Sequence, residues 1–234
     1  MNNNRILSSA SVSGRSALAT LTIALVVLFA STAVFASSYQ GQFERTLQVS
    51  GPVDLEVLTR SGDVTVRAGS GGSVFIRGKI HVGDHWLMGG READVHEIEQ
   101  HPPIRQDGNR IHIEYVNMRN ISLDYEISVP ADTTVRTRSG SGDQIIEGTR
   151  GNVDTQTGSW EIHTGSGNVH VRLPANAAFD ADISTSSGTV DMGEPIEMTV
   201  QGRIGDSHKQ IRGKVHGGGP LLRVRTGSGD IHIQ

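Results

Sequence analysis

Val224-Arg225-Thr226-Gly227-Ser228-Gly229-Asp230-Ile231-His232-Ile233, near the end of this 234-residue chain, is the phrase that decides its fold. Its centre recurs as Ser61-Gly62-Asp63 and Ser141-Gly142-Asp143, and with a changed third residue as Ser166-Gly167-Asn168 and Ser187-Gly188-Thr189. The flanks recur as well. Val57, Thr137, Ile162, Ile183 and Val224 stand five residues before the glycine, and Thr59, Ser139, Thr164, Thr185 and Thr226 stand three before it. Val64 and Val66, Gln144 and Ile146, Val169 and Val171, Val190 and Met192, and Ile231 and Ile233 stand two and four after it. A period of two on both sides of a glycine turn predicts strand, corner, strand, with one face of each strand apolar. A weaker sixth copy runs through Val153, Thr155, Thr157, Gly158, Trp160 and Ile162.

Strands this short bury too little alone, so each unit needs neighbours stacked on it. Valine, isoleucine and threonine suit the pleated surface, glycine admits positive φ, and serine, aspartate or asparagine bond the local backbone at the turn. The expected fold is all-β: a short β-solenoid (β-helix-like) or a stacked two-layer β-sheet, with one short helix. Further alternation at Val53–Val57, Val74–Val82, Ile111–Ile113 and Ile121–Val129 extends the pattern towards the N-terminus. The turn glycines at 142, 158, 167, 188 and 229 are unevenly spaced, and a degraded turn is expected near Gly202 to Asp206. The helix is expected near residues 90–100, where Val95 and Ile98 lie three apart among acidic residues and Pro102-Pro103 stops the run. Covering an exposed sheet edge or the end of the stack is its expected role.

Residues 1–36 read as an export signal. Arg5 and Arg15 precede an apolar run from Ala17 to Phe35 that ends in Val34-Phe35-Ala36, with cleavage expected after Ala36. An uncleaved anchor is the alternative, since the run is just long enough to span a bilayer. Residues 37–234 would then be a single repeat-built β domain, exported to the periplasm, the cell surface or the medium. The chain has no cysteine, so neither a disulfide nor a cysteine-linked lipid is available to it. The formal net charge is −4, and the leader carries two arginines and no acidic residue, so the remainder is more acidic still. Such a balance offers no electrostatic footprint for nucleic acid.

The run Leu123-Asp124-Tyr125-Glu126-Ile127-Ser128-Val129-Pro130-Ala131, then Val135 to Asp143 and Gly151-Asn152-Val153, resembles the bacterial putative-adhesin family of unknown function. Leu221 to Ile231 resembles the ending of that family, and the likeness covers roughly residues 45–234. The resemblance implies a β-helix-like envelope protein with no established enzyme chemistry. Gln144 stands where an apolar residue is usual, and Trp160 fills a position that is usually slim.

Several residues invite chemistry. Asp63, Asp143 and Asp230 in glycine turns suggest calcium, but aspartate directly follows glycine, the spacing is irregular, and Asn168 and Thr189 replace two copies; turn stabilisation accounts for them better. His96-Glu97 with His101 is one residue too long for the zinc motif His-Glu-x-x-His, and His81 and His85 fall at a strand end and in a glycine-bounded loop. His170 and His232 share one repeat position and His163 points outward, as exposed polar residues do. No nucleophile elbow or phosphate loop occurs. A polysaccharide-cleaving site would need paired carboxylates with aromatic platforms, whereas the aromatics are scattered and Glu92, Glu97 and Glu99 share the helix.

No catalytic, cofactor-binding or metal residues are expected, and no cofactor. The expected function is non-enzymatic: a cell-envelope or surface interaction (adhesin-like) protein. The alternatives are a polysaccharide-acting hydrolase or lyase on this scaffold, and a structural or regulatory envelope component that binds another protein. The expected partner is an envelope protein or glycan, not nucleic acid, with membrane contact only through an uncut leader. Arg60, Arg138 and Arg225, near equivalent turns, are candidates for part of such a face, the commoner use of such residues being to solvate strands and keep them from aggregating.

Overall fold

Each Ser-Gly corner carries the chain from one sheet to a second one facing it, and the five corners lie above one another. This is seen in a computed structural model that describes residues 39–69, 71–83, 91–118, 120–148, 159–193, 198–199 and 210–234. Strand β1 (Tyr39–Gln48) precedes the first strand–corner–strand unit, β2 (Val53–Ser61) and β3 (Val64–Gly69). Next come β4 (Ser73–Val82), helix α1 (Arg91–Gln100), the hairpin of β5 (Ile104–Asp107) and β6 (Arg110–Ile113), and β7 (Ile121–Pro130). The remaining units are β8 (Thr133–Ser141) with β9 (Gln144–Glu147), β10 (Trp160–Ser166) with β11 (Val169–Arg172), and β12 (Phe179–Ser187) with β13 (Val190–Met192). After β14 (Met198–Thr199) and β15 (Gln210–Val215), β16 (Leu221–Ser228) and β17 (Ile231–Ile233) complete the last unit.

One sheet runs β1-β4-β7-β3-β9-β11-β17-β13, and the other β14-β15-β12-β16-β10-β8-β2-β6-β5. Between units pairing is parallel and in register, so that Thr59, Ser139, Thr164, Thr226 and Thr185 align across five strands. The layers do not stack in chain order. The β16/β17 unit lies between β10/β11 and β12/β13, and β15 pairs antiparallel with the far side of β12. To reach its slot the chain crosses the start of β12 closely, and a Cβ on Gly219 would lie 2.5 Å from the Ala178 carbonyl oxygen.

The inward side chains form one apolar core between the sheets, including Leu55, Ile76, Ile113, Ile146, Ile162, Ile183, Val224 and Ile233. Trp160 fits at the core's end with its indole N–H donating to the Thr133 carbonyl at 3.3 Å. Tyr125 is buried edge-on to Phe43, their ring centres 6.3 Å apart, and burial pushes its hydroxyl pKa up. Gln144 is fully buried and its Oε1 has no hydrogen-bond partner, as is true of Thr137 Oγ1 in the same unit.

The helix performs the expected cover. Val95 and Ile98 are buried, and Glu99 Oε1 accepts the edge N–H of Gln42 at 2.9 Å while Arg45 donates to the Glu99 and Gln100 carbonyls. An open strand edge is thereby blocked. Ser38 to Gln234 form one compact unit. No helix among the described residues is long and apolar enough to cross a membrane, which leaves β-barrel spanning unaddressed. The export signal, residues 153–158 of the sixth copy, His85, Trp86 and the turn near residues 202–206 lie outside the described residues.

Candidate interaction face

The corners come first, because they set every side chain on the sheets in register. Gly167 and Gly229 have φ of 144° and 140°, a region L side chains rarely adopt. A Cβ on either would also lie 2.2 or 2.1 Å from the carbonyl oxygen of the glycine in the layer beneath. Beside the glycines runs a ladder of side-chain bonds. Asp124 Oδ1 accepts the backbone N–H of Asp63, Asp63 Oδ1 that of Asp143, Asp143 Oδ1 that of Asn168, and Asn168 Oδ1 that of Asp230, at 2.7–2.9 Å. Asp230 Oδ1 then accepts both the N–H and the hydroxyl of Thr189, at 2.8 and 3.0 Å. The Thr189 backbone bond, followed by its hydroxyl, holds the Asp230 carboxyl below its usual range. Each turn aspartate therefore has one oxygen committed to stacking, and asparagine serves equally well in the third place. Among the described residues no group of three or more His, Asp or Glu is placed to hold a metal ion.

The outer face of the β2-containing sheet carries two neighbouring rows of different character. Six residues before each corner glycine stand Glu56, Arg136, Glu161, Arg223 and Asp182, aligned strand to strand, with His112 and Arg212 continuing the row on either side. Their charges alternate and pair. His112 Nδ1 lies 3.1 Å from Glu56, Arg223 reaches Glu161 at 3.7 Å and Asp182 at 3.1 Å, and Arg212 bonds Asp182 at 3.0 Å. Arg136 bonds Asp54, two residues before Glu56 on the neighbouring strand. Burial works against the Asp182 charge, but the hydrogen bonds from Arg212 and Arg223 outweigh it and hold the carboxyl below the usual range.

Four residues before each glycine the row reads Leu58, Arg138, His163, Arg225 and Ser184, ending at Gln210. It contains no carboxylate. Arg138, His163 and Arg225 are adjacent and exposed. Arg225 reaches back to Asp182 only at 3.5 Å, while Arg138 has no ion pair among the described residues. Two residues before the corner stand Arg60, Gly140, Gly165, Gly227 and Ser186. A Cβ on Gly165 would lie 2.5 Å from the Gly140 carbonyl oxygen, so the strands themselves impose the bare backbone strip next to the cations.

Arg138 and Arg225, expected together, are thus brought into one row, and Arg60 is offset from them by two residues, at the end of the glycine strip. His163, set apart as a lone outward histidine, is the residue between them; counting four back from each turn glycine identifies it. On the other sheet His170 and His232 are stacked, ring centres 5.1 Å apart, with Asp191 3.5 Å from His232. His96 and His101 are exposed beside Glu99 and Glu97. Phe43, Tyr125, Trp160 and Phe179 are buried in the core, and no platform of exposed rings occurs among the described residues. Of the helix carboxylates, Glu99 is taken up in the edge cover.

The family description Toastrack DUF4097 matches residues 48–234. A crystal structure from Clostridium sporogenes, described as a putative cell adhesion protein, is similar at 12% identity over 82% of this chain and 98% of that one, with a TM-score of 0.50. A second, described as a putative adhesin from Bacteroides fragilis, aligns over 83% of this chain and 98% of its own at 10% identity and a TM-score of 0.27. The first likeness concerns the fold alone. No curated protein matches the sequence.

Proposed function

The chain belongs to the Toastrack DUF4097 family, and we propose that it is an exported, non-enzymatic envelope or surface protein that binds a partner, in the manner of an adhesin, through the outer face of its β2-containing sheet. The observation that carries this reading is the row of Arg138, His163 and Arg225, which holds no carboxylate and whose one ion pair is Arg225 with Asp182 at 3.5 Å, beside a row whose charges are paired off. A row that gives the sheet almost no ion pairing, beside one that ties its strands together, is better explained by what it meets outside the molecule. The sequence of the leader supports export, and a stack of rigid layers suits a presenting scaffold.

The test is capture from envelope extract with residues 37–234 as bait, alongside a variant with Arg60, Arg138 and Arg225 all replaced by alanine. A partner held by the parent protein and lost by the variant is the expected result. Equal capture by both removes this face from the reading. Release of reducing ends from envelope polysaccharide by the purified protein would favour a hydrolase or lyase instead.

A further inference from the structure

We infer that the ligand of this face is an acidic polysaccharide whose chain lies across the strands, close to one sugar for each strand. The inference rests on the proposed binding role of the face and adds the chemical class of the ligand. Charge sets the sign: Arg138 and Arg225 flank His163 with no carboxylate in their row, so the complement is anionic. The rest follows from the period. Adjacent strands are about 4.8 Å apart, so Arg138 and Arg225, two strands apart with His163 between them, stand about 9.6 Å apart along the stack.

Beside them, Gly140, Gly165 and Gly227 leave backbone without side chains at the same interval. At the corner, Ser141, Ser166, Ser228 and Ser187 are exposed in register, offering one hydroxyl per strand. Bare backbone and a corner hydroxyl therefore recur on each of these strands, and an arginine on every second one. An extended pyranose chain advances by close to one strand spacing per sugar, and a uronic acid brings one carboxylate and several hydroxyls at each step. An extended acidic peptide brings same-face carboxylates only every ~6.7 Å, out of step with the rows. The glycines are fixed by the packing of the strands and do not define the site. The cations do, and the glycines leave a flat ring room beside them.

The experiment measures binding of oligogalacturonate to the Ser38–Gln234 unit at low ionic strength, with neutral dextran and polyglutamate as comparison probes. The variants are Arg138→Ala/Arg225→Ala and, as a charge-matched control, Arg138→Ala/Arg172→Ala, in which only one cation of the row is lost and the other comes from the opposite sheet. Circular dichroism checks that all fold alike.

Oligogalacturonate should bind, weaken with added salt and weaken about tenfold in the first variant, with a clearly smaller loss in the control. Dextran should not bind, and polyglutamate should bind less tightly than oligogalacturonate. Undiminished binding by the first variant, an equal loss in the control, tighter binding of polyglutamate, or no oligogalacturonate binding overturns the inference. If oligogalacturonate does not bind while envelope capture still depends on the three arginines, the ligand class is wrong and the binding role stands. If capture is indifferent to the arginines, the binding role of the face fails first.

Discussion

Two rows of side chains, one pleat apart on the same strands, meet the same solvent and are built to opposite rules. The charges of the row through Glu56, Arg136, Glu161, Arg223 and Asp182 are paired, within the row or with Asp54, whereas the row through Arg138, His163 and Arg225 holds no carboxylate and borrows only Asp182. The first ties neighbouring layers together, and the second adds to them little beyond the Arg225–Asp182 contact at 3.5 Å. Exposure alone therefore does not say what a charged residue on a repeat protein is for; its neighbours in the same register position do.

The largest blow to both rows at once is Gly229→Ala, which puts a Cβ 2.1 Å from the Gly167 carbonyl oxygen at a φ of 140°. A loss of about 3 kcal/mol or more is expected, read as a collapse of the denaturant midpoint. Asp182→Ala strikes mainly the paired row. It strands Arg212, leaves Arg223 only Glu161 at 3.7 Å and removes the contact of Arg225, so a loss of about 2 kcal/mol, or a fall in Tm of roughly 4–8 °C, is expected by calorimetry.

Acid sharpens the contrast further. Hydrogen bonding from Lys79, ahead of Arg77, holds Glu126 below its usual range, as its arginines hold Asp182. Stability from such groups is fully present above their unfolded values, near pH 4, and is lost as pH falls through the lower folded ones. Melting followed from pH 6 to pH 2 should therefore show a decline below about pH 4 that is shallower in Asp182→Ala. The smallest effect belongs to Arg138→Ala, which should leave Tm unchanged or slightly raised, within about 0.5 kcal/mol. A marked destabilisation there would erase the distinction between the rows.

Much of this was legible beforehand. The five turn phrases with their alternating flanks anticipate strands, corners and a stacked core, and the spacing of Val95 and Ile98 anticipates a covering helix. The layer order was not, because nothing local to Leu221–Ile233 reveals that it slots between units placed earlier in the chain. The face was half visible. Arg138 and Arg225 occupy one offset from their glycines, but Arg60 belongs to another, where its counterparts are Gly140, Gly165 and Gly227. The pairing that leaves one row quiet and the other charged depends on which strands adjoin, and adjacency is a property of the assembled sheet. Gln144 shows the reverse case: its departure from the apolar pattern is plain in the sequence, and it ends in the core with an oxygen unmatched.

The wedged position of the final unit has a consequence for biogenesis. Strands β10 and β12 do not touch; each pairs with β16, which is translated after both. As the polypeptide emerges, that half of the sheet lacks its middle member until the C-terminal segment has left the ribosome. Joining of the β12–β15 segment to the rest of the stack is thus deferred until the last unit is available, although the strands up to β11 already adjoin without it.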